Sequence, residues 1–238
     1  VEKGIKAYKK VVALMPDGAA GHTGLSHLYL HKRAYELSLF EAREAARLSR
    51  SPDTFMRVGV SLIYLEDYDQ AIETLKQALD MYPNYAPAME WIAFAHMVRK
   101  DFDQAVQYYR VLTKVLKKPK LFPSLQLALA LQSLRRDSEA TAVLEEFTAS
   151  FDGNEWEHSL LLYIRGEIGE TDLLAIADNR CKKTEALYFS GHRHAMAGEW
   201  EWAKAQFQEV VALKVYCYPQ FVSATAELGR LQGEGSSD

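Results

Sequence analysis

Asp67–Leu79 reads DYDQAIETLKQAL, and 34 residues later Asp101–Thr113 reads DFDQAVQYYRVLT. Asp, an aromatic residue, Asp, Gln and Ala recur in the same order, followed by apolar residues at helical spacing. A period in this range marks a stacked architecture, in which each unit buries its apolar face only against its neighbours. Placing Ala71 at position 20 of a 34-residue unit puts Pro52 at position 1. Unit 52–85 then carries Phe55, Val58, Gly59 and Leu62 at positions 4, 7, 8 and 11, with Ala71, Leu75, Ala78 and Pro83 at 20, 24, 27 and 32. The frame extends both ways. Unit 86–119 supplies Met89, Ile92, Ala93, His96, Ala105, Tyr109 and Leu112, and unit 121–153 supplies Leu127, Ala128, Leu131, Ala140, Leu144 and Phe147. Unit 184–217 supplies Leu187, Gly191, His194, Ala203, Phe207 and Val210, and unit 19–51 fits more loosely with Leu25, Ser26, Tyr29, Ser38 and Ala45.

Positions 8 and 20 carry the physical test. Two helices joined by a tight turn approach closely only where both facing side chains are small. Twelve residues apart the chain offers Ser26/Ser38, Gly59/Ala71, Ala93/Ala105, Ala128/Ala140 and Gly191/Ala203. This pattern of large and small residues resembles the tetratricopeptide repeat (TPR), a helix–turn–helix unit. The resemblance implies an all-α, right-handed TPR superhelix of antiparallel helix pairs, about 12 helices in all.

The frame also places the segments around the array. Gly4, Tyr8, Val11 and Pro16 fall at positions 20, 24, 27 and 32, so residues 1–18 read as the second helix of a truncated repeat, part of a longer protein. Residues 154–183 form a degenerate pair: a helix from about Glu155 to Arg165, Gly166 and Gly169 as breakers, then a shorter helix with Thr171 as N-cap. Residues 218–231 are expected to cap the stack, with Pro219 in the first turn, and 232–238 to be a disordered polar tail.

The C-terminal residues carry a second resemblance. Tyr163, Gly166, Leu173, Leu174, Tyr188, Phe189, Gly191, Ala203, Phe207, Glu227 and Leu228 are similar to the C-terminal module of the NlpI-type bacterial TPR lipoproteins. That family's members are membrane-anchored periplasmic dimeric adaptors. The resemblance therefore implies a protein partner, a homodimer, and a periplasmic or membrane-associated setting, with the cytoplasm as the alternative.

Composition narrows the function. The 238 residues are 48% hydrophobic and 25% charged, which are globular values. A net charge of −4 supplies no overall field toward phosphate backbones, so no nucleic acid is expected as a partner. The run Lys114–Lys120 lies at an inter-repeat turn without interleaved aromatics and reads as solvated. No stretch approaches the roughly 18 uninterrupted apolar residues of a membrane-spanning helix. Signatures of phosphate loops, dinucleotide sites, nucleophile elbows and zinc proteases are absent, and the chain reads as non-enzymatic and without a cofactor. His27 and His31 are spaced to share a metal, but Leu28 stands where a zinc protease needs Glu and no third ligand is evident. They read as two histidines lining a groove, with no metal expected. In GHRH, His192 is expected to face the groove and His194 to pack in the core; Tyr108, Tyr109, Trp200 and Trp202 read as packing residues.

In the TPR family, first-helix positions 2, 5, 9, 12 and 13 line the concave groove. The resemblance thereby nominates Met56, Val60, Ile63 and Tyr64, then Phe94, Met97 and Val98, then Leu125 and Leu129 as a peptide-binding surface. Chaperone-binding TPR domains hold Lys and Asn at positions 5 and 9 to grip a terminal carboxylate. Met56/Val60, Glu90/Phe94 and Leu125/Leu129 stand there instead, so the expected ligand is an apolar or amphipathic peptide segment. The competing readings are coverage of that face by the chain's own helices or by a second copy, as in a self-assembly module.

Cys181 precedes the first helix of unit 184–217 and Cys217 follows its second. Antiparallel helices bring those points to one end of the hairpin, plausible for the ~4.4–6.8 Å Cα separation of a disulfide. A bridge suiting an oxidising compartment is one reading, and two reduced thiols the other.

Overall fold

Each hairpin turns on a residue held in the left-handed backbone region. Arg33 (φ 61°), Glu66 (63°), Lys100 (63°), Arg135 (59°) and Gly198 (78°) all occupy position 15 of their repeats. The next N–H in each case reaches back to the carbonyl of position 11: Ala34 to Tyr29, Asp67 to Leu62, Asp101 to His96, Arg136 to Leu131 and Glu199 to His194, all at 2.9–3.0 Å. This is the Schellman closure, which satisfies carbonyls that a helix end would otherwise leave orphaned. The short pair uses it as well, with Gly166 at φ 79° and Glu167 N–H on the Leu162 carbonyl at 2.8 Å. Four of the six turns place a side-chain-bearing residue in this region, at a cost of about 1 kcal/mol each. The closures and the packed hairpins outweigh it.

The computed structural model describes residues 1–116, 120–149, 151, 153–216 and 219–234, with side chains described as far as Leu231. The chain divides into two units, Val1–Lys117 and Lys118–Asp238. The first contains α1 (Glu2–Leu14), α2 (Ala19–His31), α3 (Tyr35–Leu48), α4 (Pro52–Tyr64), α5 (Tyr68–Met81), α6 (Ala86–Val98) and α7 (Phe102–Val115). The second contains α8 (Leu121–Ser133), α9 (Asp137–Ala149), α10 (Glu155–Arg165), α11 (Glu170–Ile176), α12 (Arg180–Met196), α13 (Trp200–Ala212) and α14 (Pro219–Glu234). The described residues thus form fourteen helices and no strand, which is the sum of the expected half-repeat, five helix pairs, short pair and last helix, and two more than the round figure of about 12. None of these helices is long and apolar enough to cross a membrane.

Packing follows the repeat. In the first unit α2/α3, α4/α5 and α6/α7 are hairpins, each second helix packs on the next first helix, and α2, α4 and α6 touch in succession. The small residues sit where the helices cross. A Cβ added to Gly59 would lie 2.5 Å from Leu75 Cγ, and one added to Gly191 would lie 2.6 Å from Phe207 Cε1. At the loosest repeat the pair is polar, and the Ser26 and Ser38 hydroxyls hydrogen-bond at 3.1 Å. Ser38 also meets the Ser61 hydroxyl at 2.8 Å, and Ser61 donates to the Arg57 carbonyl, so three buried hydroxyls satisfy one another across α2, α3 and α4. The half-repeat docks through Ile5, which packs with Leu25 and Tyr29.

Local signals account for several helix starts. Ser51 accepts from Thr54 N–H while the Thr54 hydroxyl answers the Ser51 N–H, a capping box ahead of Pro52. Asn154 and Glu157 do the same for α10. α11 corrects one expectation: it begins at Glu170, with Gly169 rather than Thr171 at the cap, because Asp172 reaches back to accept the Gly169 N–H at 3.2 Å. α14 runs from Pro219 to Glu234, three residues past the expected Leu231.

Candidate functional site

The first helices of unit 1 carry the residues nominated for the groove. Met56 on α4 is half-buried. Val60, Ile63 and Tyr64 on α4, and Phe94, Met97 and Val98 on α6, are each at most 7% exposed, as are Leu125 and Leu129 on α8 in unit 2. A ligand approaching α4 therefore meets Met56 first, with Val60 and Tyr64 beneath it. Beside Met56, Arg57 Nε donates to Asp53 Oδ2 at 3.0 Å, an ion pair across one turn of the same helix.

An aromatic row joins three helices of this unit. Ring centroids run Tyr35–Tyr64 at 5.4 Å, Tyr64–Trp91 at 6.5 Å and Trp91–Phe94 at 5.6 Å, the last pair edge-to-face. Tyr64 and Phe94 are buried, but Tyr35 and Trp91 keep part of their rings at the surface. Sequence reasoning missed these two, since Tyr35 opens a second helix and Trp91 sits between the groove positions. The i, i+3 spacing of Trp91 and Phe94 was the signal available for one of them.

On α2, His27 and His31 face each other, Nε2 to Nε2 at 3.3 Å, with ring centroids 4.7 Å apart and planes at 76°. Burial, then the neighbouring His31 and Arg57, hold the His27 pKa below the ordinary histidine value. Among the described residues no group of three or more His, Cys, Asp or Glu side chains is placed to hold a metal ion.

Unit 2 has a different interior. Gln126 on α8 is fully buried, and neither its amide nitrogen nor its oxygen meets a protein partner in regular geometry. The Tyr188 phenol from α12 faces it and Ser223 of α14, and burial raises the phenol's pKa. Gln220 Oε1 and the Ser190 hydroxyl are likewise buried without a regular partner. His192 is half-buried, edge-on to Tyr188 at 4.6 Å and to Phe207 at 5.5 Å.

His194 corrects its expected place. It is half-buried rather than core-packed, because two carboxylates hold it at the surface: Glu199 at 2.5 Å from Nδ1 and Glu170 at 2.9 Å from Nε2. Burial opposes its charged form, but the hydrogen bonds and charges of Glu199 and Glu170 outweigh it and raise the pKa. Glu170 also accepts from Gln206 at 2.6 Å, tying α11 to α12 and α13. Trp200 and Trp202 are not packing residues; they are 52% and 65% exposed at the start of α13, where Trp202 stacks loosely on His194. Tyr109 is buried as expected, and Tyr108 stacks on His96. Cys181 is exposed on the first turn of α12. Its nominated partner Cys217, Lys117–Pro119 of the basic run, and 235–238 of the tail lie outside the described residues.

Residues 62–121 match the tetratricopeptide repeat family model. No curated protein gives a match. Among solved structures, MamA is similar over 61% of this chain and 85% of its own, at 18% identity and a TM-score of 0.55. PilF of Pseudomonas aeruginosa is similar over 95% of this chain and 86% of its own, at 16% identity and a TM-score of 0.56. YrrB, described as a TPR protein with an unusual peptide-binding site, is similar over 69% of this chain and 83% of its own, at 18% identity and a TM-score of 0.54. At these identities the likeness speaks to the fold alone. Helical hairpins closed by one recurring turn, small residues at the crossings, the matched repeat and these neighbours together make the chain an all-α tetratricopeptide-repeat solenoid.

Proposed function

We propose that the chain is a non-enzymatic protein-interaction scaffold that takes an apolar or amphipathic peptide segment on the first-helix face of unit 1. The observation that carries this reading is the aromatic row, half-open at Tyr35 and Trp91, with the half-buried Met56 about two turns before Tyr64 on α4. Aromatic rings give large contact area with little side-chain entropy to lose, and methionine adapts to the shape of a partner. Val60, Ile63, Tyr64, Phe94, Met97 and Val98 form the floor in this reading rather than the contact surface, since they are already buried. Leu125 and Leu129 play the same part in unit 2. The NlpI-like reading of the C-terminal residues, with its adaptor role, its envelope setting and a Cys181–Cys217 bridge, belongs to the same proposal.

The test is selection of binding peptides from a random library on the full chain. Selected peptides should carry apolar anchors at helical spacing, and Met56→Glu and Trp91→Ala should each weaken them by about tenfold or more, as loss of one buried apolar anchor implies. Met56→Glu should leave the melting curve nearly in place, whereas Trp91→Ala also removes ring contacts with Tyr64 and Phe94 and should lower it, so the binding comparison rests on Met56→Glu. Peptides that bind both variants at full strength would place the site elsewhere.

Self-assembly is the second reading, supported by exposed apolar side chains on and after α1, Tyr8, Leu14 and Met15. A solution mass of twice the chain that returns to monomer on Leu14→Glu would favour it.

A further inference from the structure

We propose that His27 and His31 form a binding site for a borderline divalent transition-metal ion, with Zn²⁺ as the reference case. Residues four apart on a helix lie one turn above each other on the same face, and here both rings turn their Nε2 atoms inward to 3.3 Å. A tetrahedral ion bound at about 2.0–2.1 Å by two imidazole nitrogens holds them about 3.3 Å apart. The two nitrogens thus already stand at the bite distance of the ion, and neither the backbone nor a rotamer has to move far to accept it. Imidazole suits zinc, copper and nickel, and the neutral ring is the ligand. Without metal, one ring donates its Nε2 proton to the other; on binding, that proton shifts to Nδ1 and the ion takes its place between the rings.

The helix beneath is held on two sides, so the pair is rigidly presented. α1 packs against Gly21 and Gly24 through Val12 and Tyr8, and α3 is bonded through the Ser26 and Ser38 hydroxyls. Arg57, the nearest cation acting on His27, is itself paired with Asp53, which offsets its repulsion of an ion. With two protein ligands and an exposed pair, water fills the remaining positions. The site is then an exchangeable one, distinct from the closed four-ligand sites that stabilise small folds.

Titrating the full chain with Zn²⁺ alone, followed by calorimetry and by the histidine ring resonances, tests this. One ion should bind, the His27 and His31 signals should shift, and His27→Ala or His31→Ala should each weaken binding by roughly tenfold or more, as loss of a ligand implies. Alanine is the best helix former and both side chains reach the surface, so circular dichroism should report an unchanged melt for both variants. Wild-type affinity in the double variant His27→Ala/His31→Ala, or no binding by the unaltered chain, overturns the proposal.

Discussion

The two units build the same hairpin and fill it differently. In unit 1 the buried serine hydroxyls of α2, α3 and α4 satisfy each other, Ser26 with Ser38 and Ser38 with Ser61. In unit 2 two of the buried polar side chains are longer amides, Gln126 and Gln220, whose polar atoms sit outside regular hydrogen-bond geometry, Gln126 facing the Tyr188 phenol. Yet both units put a small residue at position 8 over a large one at position 24, Gly59 on Leu75 and Gly191 on Phe207. The backbone hairpin is therefore set by the small–large contact and by the turn, and the polarity of the remaining interior is free to vary. Unit 2 also contains the short pair α10/α11, which keeps the left-handed turn at Gly166 while its second helix shrinks to seven residues. Turn closure survives where repeat length does not.

The largest expected effect tests what the units share. Leu75→Ala should destabilise by about 2–5 kcal/mol and Phe207→Ala by about 3–5 kcal/mol, because each opens a cavity under a glycine that cannot fill it. Denaturant titration of both variants gives the comparison. A loss under about 1 kcal/mol at either position would mean that the crossing in that unit is not held by this contact.

A smaller effect tests where they differ. Ser38→Ala should cost about 1–3 kcal/mol, since it leaves two buried hydroxyls short of partners. Gln126→Leu should cost less than Ser38→Ala, since its amide meets the Tyr188 phenol only outside regular geometry and Ser223 remains to that phenol. Thermal melts decide the matter. If Gln126→Leu is the more harmful change, ordered water satisfies the amide and the interior of unit 2 is as well bonded as that of unit 1.

The smallest effect is a pH dependence confined to unit 2. The folded pKa of His194 is raised above its ordinary value of 6.5 by Glu199 and Glu170, against the opposing effect of burial. A raised histidine pKa contributes stability that is fully present below the unfolded value and lost as pH rises through the folded value. Wild type should therefore lose more stability than His194→Gln over the range above about pH 6.5, while both behave alike if the clamp between α11, α12 and α13 does not form. Melting temperatures at stepped pH provide the readout.

The twin lines at Asp67 and Asp101 are enough to phase the chain, because a stacked repeat must place its small residues at the same two positions each time. Ser26/Ser38 and Gly191/Ala203 follow from that phase even where the surrounding sequence drifts. The turn was not legible. Arg33, Glu66, Lys100 and Arg135 are charged residues with no intrinsic preference for positive φ, and only the closure by the following N–H forces them there. The candidate site was legible in part. Family positions point to α4 and α6, but they do not reveal that Phe94 and Ile63 are sealed while Tyr35 and Trp91 stay open. His194 was misread for a related reason, since a repeat position says nothing about a carboxylate at the hairpin's own turn, Glu199, or one that arrives from α11, Glu170.

By itself the sequence determined the helix-pair architecture and its 34-residue phase, because the periods of 3.6 and 34 are properties of one chain and of packing against the next copy of itself. Only the tertiary structure decided which apolar face remained open, which polar group found a partner, and which two histidines met at 3.3 Å. Those outcomes depend on distances between side chains from different helices, or on rotamers chosen against them, and neither is written in the order of residues along one helix.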